Sequence, residues 1–136
     1  MRIVAGFLRS PEGRAALDRA VEETRQRDGE LFVVHSMRGG TRDELDQVLE
    51  YREEFERLTE RLESEGIAYR LVEYARGQSP AQDLIDAAQE HSADLIVIGV
   101  RRRSPVGKLV LGSNAQEVIL QATCDVLAVK PAADND

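Results

Sequence analysis

Hydrophobic side chains are concentrated in five short runs along the chain, each about the length of a β-strand. Four of the runs are apolar at nearly every position, which is typical of strands that are covered on both faces of a sheet. The run at residues 67–74 alternates between apolar and polar positions, which indicates an edge strand with one face exposed. The predicted strands are residues 2–8, 30–36, 67–74, 93–99 and 124–130.

The segments between these runs have the apolar spacing and the end signals of helices. Ser10, Pro11 and Glu12 give the first helix an N-cap, a proline at the first helical position and an acidic first turn. The second helix is predicted over residues 42–64, where apolar side chains recur at helical spacing among many glutamates and arginines, and Gly66 follows it.

Two further helices are predicted to begin at serines. Ser79 precedes Pro80, and Gln82 stands three residues after the serine, a spacing that predicts a capping box. Ser113 and Gln116 repeat this spacing and predict a second capping box. The side chains predicted to face the core from these two helices are Leu84, Ile85, Ala88, Val118, Ile119 and Ala122.

Strands and helices therefore alternate along the whole chain, beginning and ending on a strand. This alternation predicts a parallel sheet with right-handed crossover helices. We expect an α/β fold in which a doubly wound, five-stranded parallel sheet lies between two helix layers, a Rossmann-like three-layer α/β/α sandwich. Residues 1–131 are expected to form this single domain, with residues 132–136 as a flexible tail.

Composition narrows the class of protein. The chain has 136 residues, 42% of them hydrophobic, and a net charge of −7, which suits one folded domain and argues against nucleic-acid binding. It contains no run of membrane-spanning length and no signal-peptide pattern, so we expect a cytoplasmic protein with no membrane partner.

The reactive side chains suggest no catalytic or metal centre. Cys124 is the only cysteine and is interpreted as a small, buried or half-buried residue. His35 is interpreted as a structural residue at a strand end, and His91 as a surface residue. Neither metal-ligand spacing nor a nucleophile–base pair is visible, so no catalytic residue and no metal ligand is predicted.

The most distinctive segment is GVRRRSPVGKLVLGSN, residues 99–114, between the fourth strand and the fourth helix. Loops in this position lie beyond the carboxyl ends of the strands, where open α/β sheets bind ligands. At its end, the backbone N–H groups of Gly112 and Ser113 and the hydroxyl of Ser113 would face an anion. The segment is not a Walker P-loop, because Leu109 follows Lys108, and it is not GxGxxG.

Three other stretches accompany this loop: SPEGRAALDRAVE, GQSPAQDLIDAAQEHSADLIVIG and GSNAQEVILQATCDVLAVK. With them, the chain resembles the universal stress protein family over nearly its whole length. ATP-binding members carry the signature G-x2-G-x9-G-[S/T]; here Gly99 and Gly112-Ser113 match it, and Arg102 replaces the middle glycine. The resemblance implies the strand order 3-2-1-4-5 of adenine nucleotide alpha hydrolase-like folds.

The resemblance also implies a binding site with two departures. Members that bind ATP usually carry an aspartate where this chain has Leu8, so a hydrogen bond on the adenine side would be lost. Arg102 either blocks the phosphate cradle or grips a phosphate from a distance with its guanidinium. The predicted nucleotide-binding residues, five from the resemblance and three from the charge and turn of the loop itself, are Ile98, Gly99, Gly112, Ser113 and Asn114, with Arg101, Arg102 and Gly107.

We therefore expect a stress-response module that binds ATP, another adenine nucleotide or another phosphate anion at residues 99–114, with Mg²⁺ as an accompanying ion. Two alternatives stay open: a member that binds no ATP and acts through protein contacts of the arginine loop, and a slow nucleotide hydrolase. Members of the family commonly dimerise through their last strand. That resemblance and the apolar edge at residues 124–130 predict a homodimer.

Overall fold

The computed structural model describes residues 1–37, 42–103 and 108–131. Gly107 and the predicted tail at residues 132–136 lie outside the described residues. The same holds for the side chain of Arg102, whose backbone is described.

The described chain alternates strands and helices in the predicted order, and each predicted strand is found within two residues at either end. The strands are β1 (Arg2–Gly6), β2 (Glu30–Ser36), β3 (Ala68–Tyr74), β4 (Leu95–Gly99), β5 (Arg101–Arg103), β6 (Lys108–Val110) and β7 (Asp125–Val129). The helices are α1 (Pro11–Arg27), α2 (Arg42–Ser64), α3 (Pro80–Glu90) and α4 (Ser113–Gln121). Within the described ranges, no helix combines the length and apolarity needed to cross a bilayer.

Five parallel strands form one sheet in the order β3-β2-β1-β4-β7. Numbered as the five predicted strands, this is the order 3-2-1-4-5, which confirms the expected topology. β3, the strand with alternating polarity, lies at one edge of the sheet, as predicted. β7 lies at the other edge and pairs in parallel with β4.

Successive residues of the central strands supply two separate cores. Ile3, Ala5 and Val97 point into the core that α1 and α2 cover, whereas Val4 and Ile96 point into the core that α3 and α4 cover. All five side chains are buried. The nearly continuous apolar runs therefore reflect two covered faces, and the three-layer α/β/α architecture is confirmed.

Strands β5 and β6 were not predicted. They form an antiparallel two-stranded ribbon inside the 99–114 segment, with Arg101 opposite Val110 and Arg102 opposite Leu109. Strands of three residues are too short to produce a readable alternation in sequence. The segment therefore leaves β4 as a ribbon and returns to the start of α4.

The helix starts differ in how they are capped. Ser10 Oγ accepts a hydrogen bond from the backbone N–H of Gly13 at 3.1 Å, and Ser79 Oγ accepts one from Gln82 at the same distance. The side chain of Gln82 donates to Asp86 and does not close the predicted capping box. The serine caps are thus confirmed for α1 and α3, but the reciprocal bond at α3 is absent from the described contacts.

Two predictions for α4 were wrong. Ser113 is the first helical residue and Gly112 is the N-cap, so Ser113 and Gln116 do not form a capping box; the Gln116 side chain donates to the backbone of the preceding loop. Ile119 was expected to face the core but is 44% exposed. Helix α4 spans nine residues near the edge of the sheet, and Val118 is buried on its inner side.

Helix α2 docks through an aromatic contact and through ion pairs with α1. Phe55 stacks on Phe7 with ring centroids 4.1 Å apart, and Leu58 and Leu62 are buried beneath the helix. Exposed ion pairs run along the seam between the two helices and the residues that flank them. They are Arg9–Glu54 (3.0 Å), Arg14–Glu54 (3.4 Å), Arg61–Asp18 (2.7 Å) and Arg25–Glu65 (2.9 Å).

Candidate functional site

The candidate site is a cleft at the carboxyl ends of β1 and β4, which are neighbours in the sheet. The chain leaves β1 toward α1 on one face and β4 toward α4 on the other, so a crevice opens between the strand ends. Its enclosed part measures about 60 Å³, so a ligand of nucleotide size would lie across its mouth. Residues that line it include Leu8, Gly13, Pro80, Ile98, Gly99 and Asn114.

Gly99 ends β4 directly beneath the first turn of α1. A Cβ atom at Gly99 would lie 2.1 Å from the backbone oxygen of Glu12 and 2.9 Å from its Cβ. Contacts this short are not tolerated, so the glycine is needed for the close approach of strand and helix. The first glycine of the family signature is therefore also a packing residue in this chain.

Gly112 has the opposite surroundings. A Cβ atom there would meet nothing within 4 Å, and the backbone dihedral angles, φ −67° and ψ 165°, are open to any residue. No side chain caps the backbone N–H groups at the start of α4 within the described structure. Ser113 and Asn114, the first residues of the helix, are exposed. This helix end therefore offers uncapped donors and open space to an anion.

Arg101, a predicted phosphate contact, is engaged by a carboxylate. Its Nε donates to Glu12 Oε1 at 2.9 Å, which joins the ribbon to the first turn of α1. The sequence analysis interpreted Glu12 only as a first-turn acid, and no local spacing could have paired residues that lie 89 positions apart. A phosphate reaching for Arg101 would have to compete with Glu12.

Glu12 carries its negative charge at neutral pH. Burial alone would raise the pKa of Glu12. The hydrogen bond from its own backbone N–H, the hydrogen bond and charge of Arg101, and the Ser10 hydroxyl outweigh that effect and hold the pKa below its ordinary value. The Glu12–Arg101 pair is thus a fixed couple of opposite charges beside Gly99.

Leu8 follows β1 and forms a wall between two hollows. On one side lies the cleft, and on the other lies a groove of about 400 Å³ between α1 and α2 that includes Leu17, Arg57 and Leu58 in its lining. The Leu8 side chain is 42% exposed. The position at which the resemblance implies an aspartate therefore borders the cleft, and here it is aliphatic.

His35 belongs to an aromatic cluster beneath α2. Its ring centroid lies 4.8 Å from that of Tyr51, 4.9 Å from that of Phe55 and 5.8 Å from that of Phe7. Burial lowers the pKa of His35, and the charge of Glu73, its neighbour on β3, raises it by a smaller amount. The residue is part of the packing that holds α2.

The other reactive side chains also lie in packed surroundings. His91, predicted as a surface residue, is half-buried and stacks on Phe32 with centroids 4.6 Å apart. Cys124 is half-buried, and burial raises the pKa of its thiol. In the part of the chain that the structure describes, no three His, Cys, Asp or Glu side chains converge as a metal site would require.

Sequence reasoning missed Asp83, a buried carboxylate on α3 that contacts the end of β2. Asp83 of α3 is 1% exposed and accepts a hydrogen bond from the hydroxyl of Ser36. Arg76 lies 3.6 Å from Asp83 Oδ1, 3.1 Å from Asp86 and 4.1 Å from the centroid of the Tyr74 ring, over which it stacks. These contacts fix the start of α3, which supplies Pro80 to the cleft, so Asp83 acts on the cleft only through the helix position.

Comparisons with known proteins agree with this architecture. A model described as the universal stress protein family matches residues 1–130. The chain is 36% identical to a universal stress protein of Mycolicibacterium smegmatis over 129 residues, 95% of this chain and 97% of that protein.

Two solved structures of universal stress protein from Archaeoglobus fulgidus resemble the fold. One has a TM-score of 0.79 and 37% identity. The other, in complex with dAMP, has a TM-score of 0.74 and 34% identity. Each likeness covers 96% of this chain and 98% of the other.

Proposed function

The chain belongs to the universal stress protein family, and from that membership we propose that it binds an adenine nucleotide or a related phosphate anion across the cleft between β1 and β4. The similar structure from Archaeoglobus fulgidus, which holds dAMP, supports this proposal. We place the function in the cytoplasm, as a binding module of the stress response.

The observation that carries the proposal is the state of the α4 N-terminus. Gly112 leaves open space, and the first N–H groups of the helix have no side-chain cap. Uncapped helix N-termini stabilise phosphate through directed N–H groups and the helix dipole. Ser113 and Asn114 would add a hydroxyl and an amide to this phosphate position, and Mg²⁺, where present, would be held by phosphate oxygens.

The base would be held mainly by apolar contact. Leu8, Pro80 and Ile98 contribute aliphatic surface to the lining of the cleft. With Leu8 in place of a carboxylate, no charged acceptor at that position meets the amino group of adenine. The proposed binding is therefore weaker and less selective for the base than a site with an aspartate there.

The direct test is to identify what the purified protein carries. The protein is denatured by heat, and the supernatant is analysed by chromatography and mass spectrometry, followed by calorimetric titration of the emptied protein with AMP and ATP. Recovery of an adenine nucleotide, or saturable binding of one, supports the proposal. If the supernatant holds no nucleotide and neither AMP nor ATP binds at millimolar concentration, the proposal is wrong. That result would favour the alternative in which the protein acts through protein contacts of the arginine loop.

We also propose that the chain forms a homodimer through residues 124–130. β7 pairs on one side with β4, and its other edge is free of strands within the described residues. Its apolar side chains Val126, Leu127 and Val129 are only half-buried in the single chain. On the neighbouring helix, Leu120 is 81% exposed. An apolar edge strand and an exposed leucine on the helix that precedes it in the chain favour pairing with a second copy.

A further inference from the structure

Resting on the proposed nucleotide site, we infer that this cleft selects nucleoside monophosphates over nucleoside triphosphates, and that Glu12 is the residue that sets this preference. The backbone and Cβ of Glu12 lie against Gly99, where the family signature begins, and its carboxylate is held by Arg101, two residues beyond Gly99. The ligand class is then an adenine-type nucleotide with one phosphate group.

The Glu12 carboxylate is held in one place. The first turn of α1 lies against Gly99, Ser10 caps that turn, and Arg101 donates to Oε1 at 2.9 Å. The Glu12 side chain is only 18% exposed, although its partner Arg101 is 65% exposed. A carboxylate so anchored cannot move away from an approaching phosphate without losing its ion pair.

The surface that remains for phosphate is short. Of the three glycine positions in the signature, Gly99 is covered by Glu12 and the middle one carries a side chain, Arg102, on strand β5. Only Gly112 opens onto free space. One phosphate can therefore use the N–H groups of α4, but among the described residues of the signature the outer phosphates of a triphosphate find no second open glycine to approach.

Charge acts in the same direction as shape. Glu12 is ionised at neutral pH, and each added phosphate brings more negative charge toward the end of β4, beside which this carboxylate is paired with Arg101. A phosphate could take the Nε–H of Arg101 only by displacing Glu12, which would leave a half-buried carboxylate without its main partner. At the other N–H groups of Arg101, a phosphate would meet a positive charge that Glu12 already offsets. The repulsion is expected to cost ATP on the order of tenfold in affinity relative to AMP.

Calorimetric titration of the full chain with AMP, ADP and ATP, without Mg²⁺, measures the preference. Glu12→Gln removes the charge at nearly constant shape, and Glu12→Asp keeps the charge. Glu22→Gln is the matched control, because Glu22 lies on the same helix, loses the same charge and contacts Arg25 and Gln26 away from the cleft. Thermal unfolding of each variant checks that the fold is retained.

We expect affinity to fall from AMP to ATP in the parent, in Glu12→Asp and in Glu22→Gln. In Glu12→Gln, the ratio of AMP affinity to ATP affinity should shrink to about threefold or less. ATP bound as tightly as AMP by the parent would overturn the inference and leave the proposed nucleotide site standing. An unchanged ratio in Glu12→Gln would equally remove Glu12 from this role. Absence of binding by all three nucleotides would instead reject the proposed function itself, and the parent titration alone separates these cases even if a variant fails to fold.

Discussion

The backbone oxygen of Glu12 lies 2.1 Å from the point that a Cβ atom on Gly99 would occupy, so α1 and β4 meet at a position that only glycine can fill. We expect Gly99→Ala to lower the free energy of unfolding by about 2 kcal/mol, because strand and helix must separate to admit one methyl group. Urea unfolding of the variant and the parent measures this difference.

Gly6→Ala is the control for that measurement. Gly6 also ends a central strand, but a Cβ atom there would meet Leu84 Cδ2 at 3.6 Å, an ordinary contact. Its free energy of unfolding should stay close to that of the parent. If Gly99→Ala is as stable as Gly6→Ala, the close approach of α1 to β4 is not a constraint on the fold.

At Gly112, in contrast to Gly99, we expect a substitution to raise the stability of the fold while it weakens nucleotide binding. Gly112→Ser should raise the free energy of unfolding by about 0.5 kcal/mol, because serine is a good N-cap and the site has room for it. The new hydroxyl would occupy the N–H groups that the proposed phosphate needs, so nucleotide affinity should fall about fivefold. Thermal unfolding and calorimetry on the same sample test both parts, and tighter nucleotide binding by the variant would contradict the assignment.

Leu8 tests the base side of the cleft. Leu8→Asp restores an acceptor on the cleft wall and should raise adenine nucleotide affinity about tenfold, since hydrogen bonds to charged groups are the stronger ones. Leu8→Ala removes the leucine without adding an acceptor and should show no gain. Because Leu8 is half-exposed, both variants should fold, at a cost of about 1 kcal/mol. Equal affinities for the two variants would separate Leu8 from base recognition.

Because His35 is buried, we expect the free energy of unfolding of the chain to fall in mild acid. Burial lowers its pKa in the folded chain, so the unfolded chain binds a proton first, near pH 6.5. The stability that neutral His35 provides is present above that pH and is lost as the pH falls through the lower, folded value. In His35→Phe, which keeps an aromatic ring in the cluster, unfolding measured between neutral and acidic pH should show a shallower decline. Equal slopes in parent and variant would mean that His35 titrates alike in both states.

The proposed dimer predicts that one exposed leucine matters for assembly. Leu120→Glu should shift the chain from dimer toward monomer, because it places a charge in the interface, and the single chain should be unaffected at a position that is 81% exposed. Sedimentation or light scattering measures the mass. Gln89→Glu adds the same charge on exposed α3 and should leave the mass unchanged. A monomeric parent would refute the dimer outright.

The fold was more predictable than the site. Runs such as residues 2–8 and 93–99 report burial on two faces, and alternation at residues 67–74 reports an edge, because each pattern is local in sequence. Ile119 was misplaced since helical spacing does not tell how far a short helix at the sheet edge is covered. The cap of α4 was misassigned because Gly112 and Ser113 both suit an N-cap in sequence.

The contacts that shape the cleft could not be predicted, because they join distant residues. Arg101 was predicted as a phosphate contact, whereas its pairing with Glu12 depends on how α1 lies over β4. The same is true of Asp83, whose burial against Ser36 depends on the tilt of α3. Local patterns locate the strands, and the family resemblance implies which strand ends meet, whereas side-chain partners at those ends follow from the three-dimensional packing.

The order of charges along the seam between α1 and α2 favours one position of α2 along α1 over positions shifted by whole turns. Arg14 faces Glu54 and, about one turn further along α1, Asp18 faces Arg61. If α2 slid by about two turns, Arg61 would stand beside Arg14 and two positive charges would meet. Exposed ion pairs contribute little adhesion when correctly formed. The order of positive and negative charges instead raises the free energy of a shifted alignment of the two helices. These charges therefore select the correct position of α2, and the aromatic cluster and the core supply the stability that holds it there.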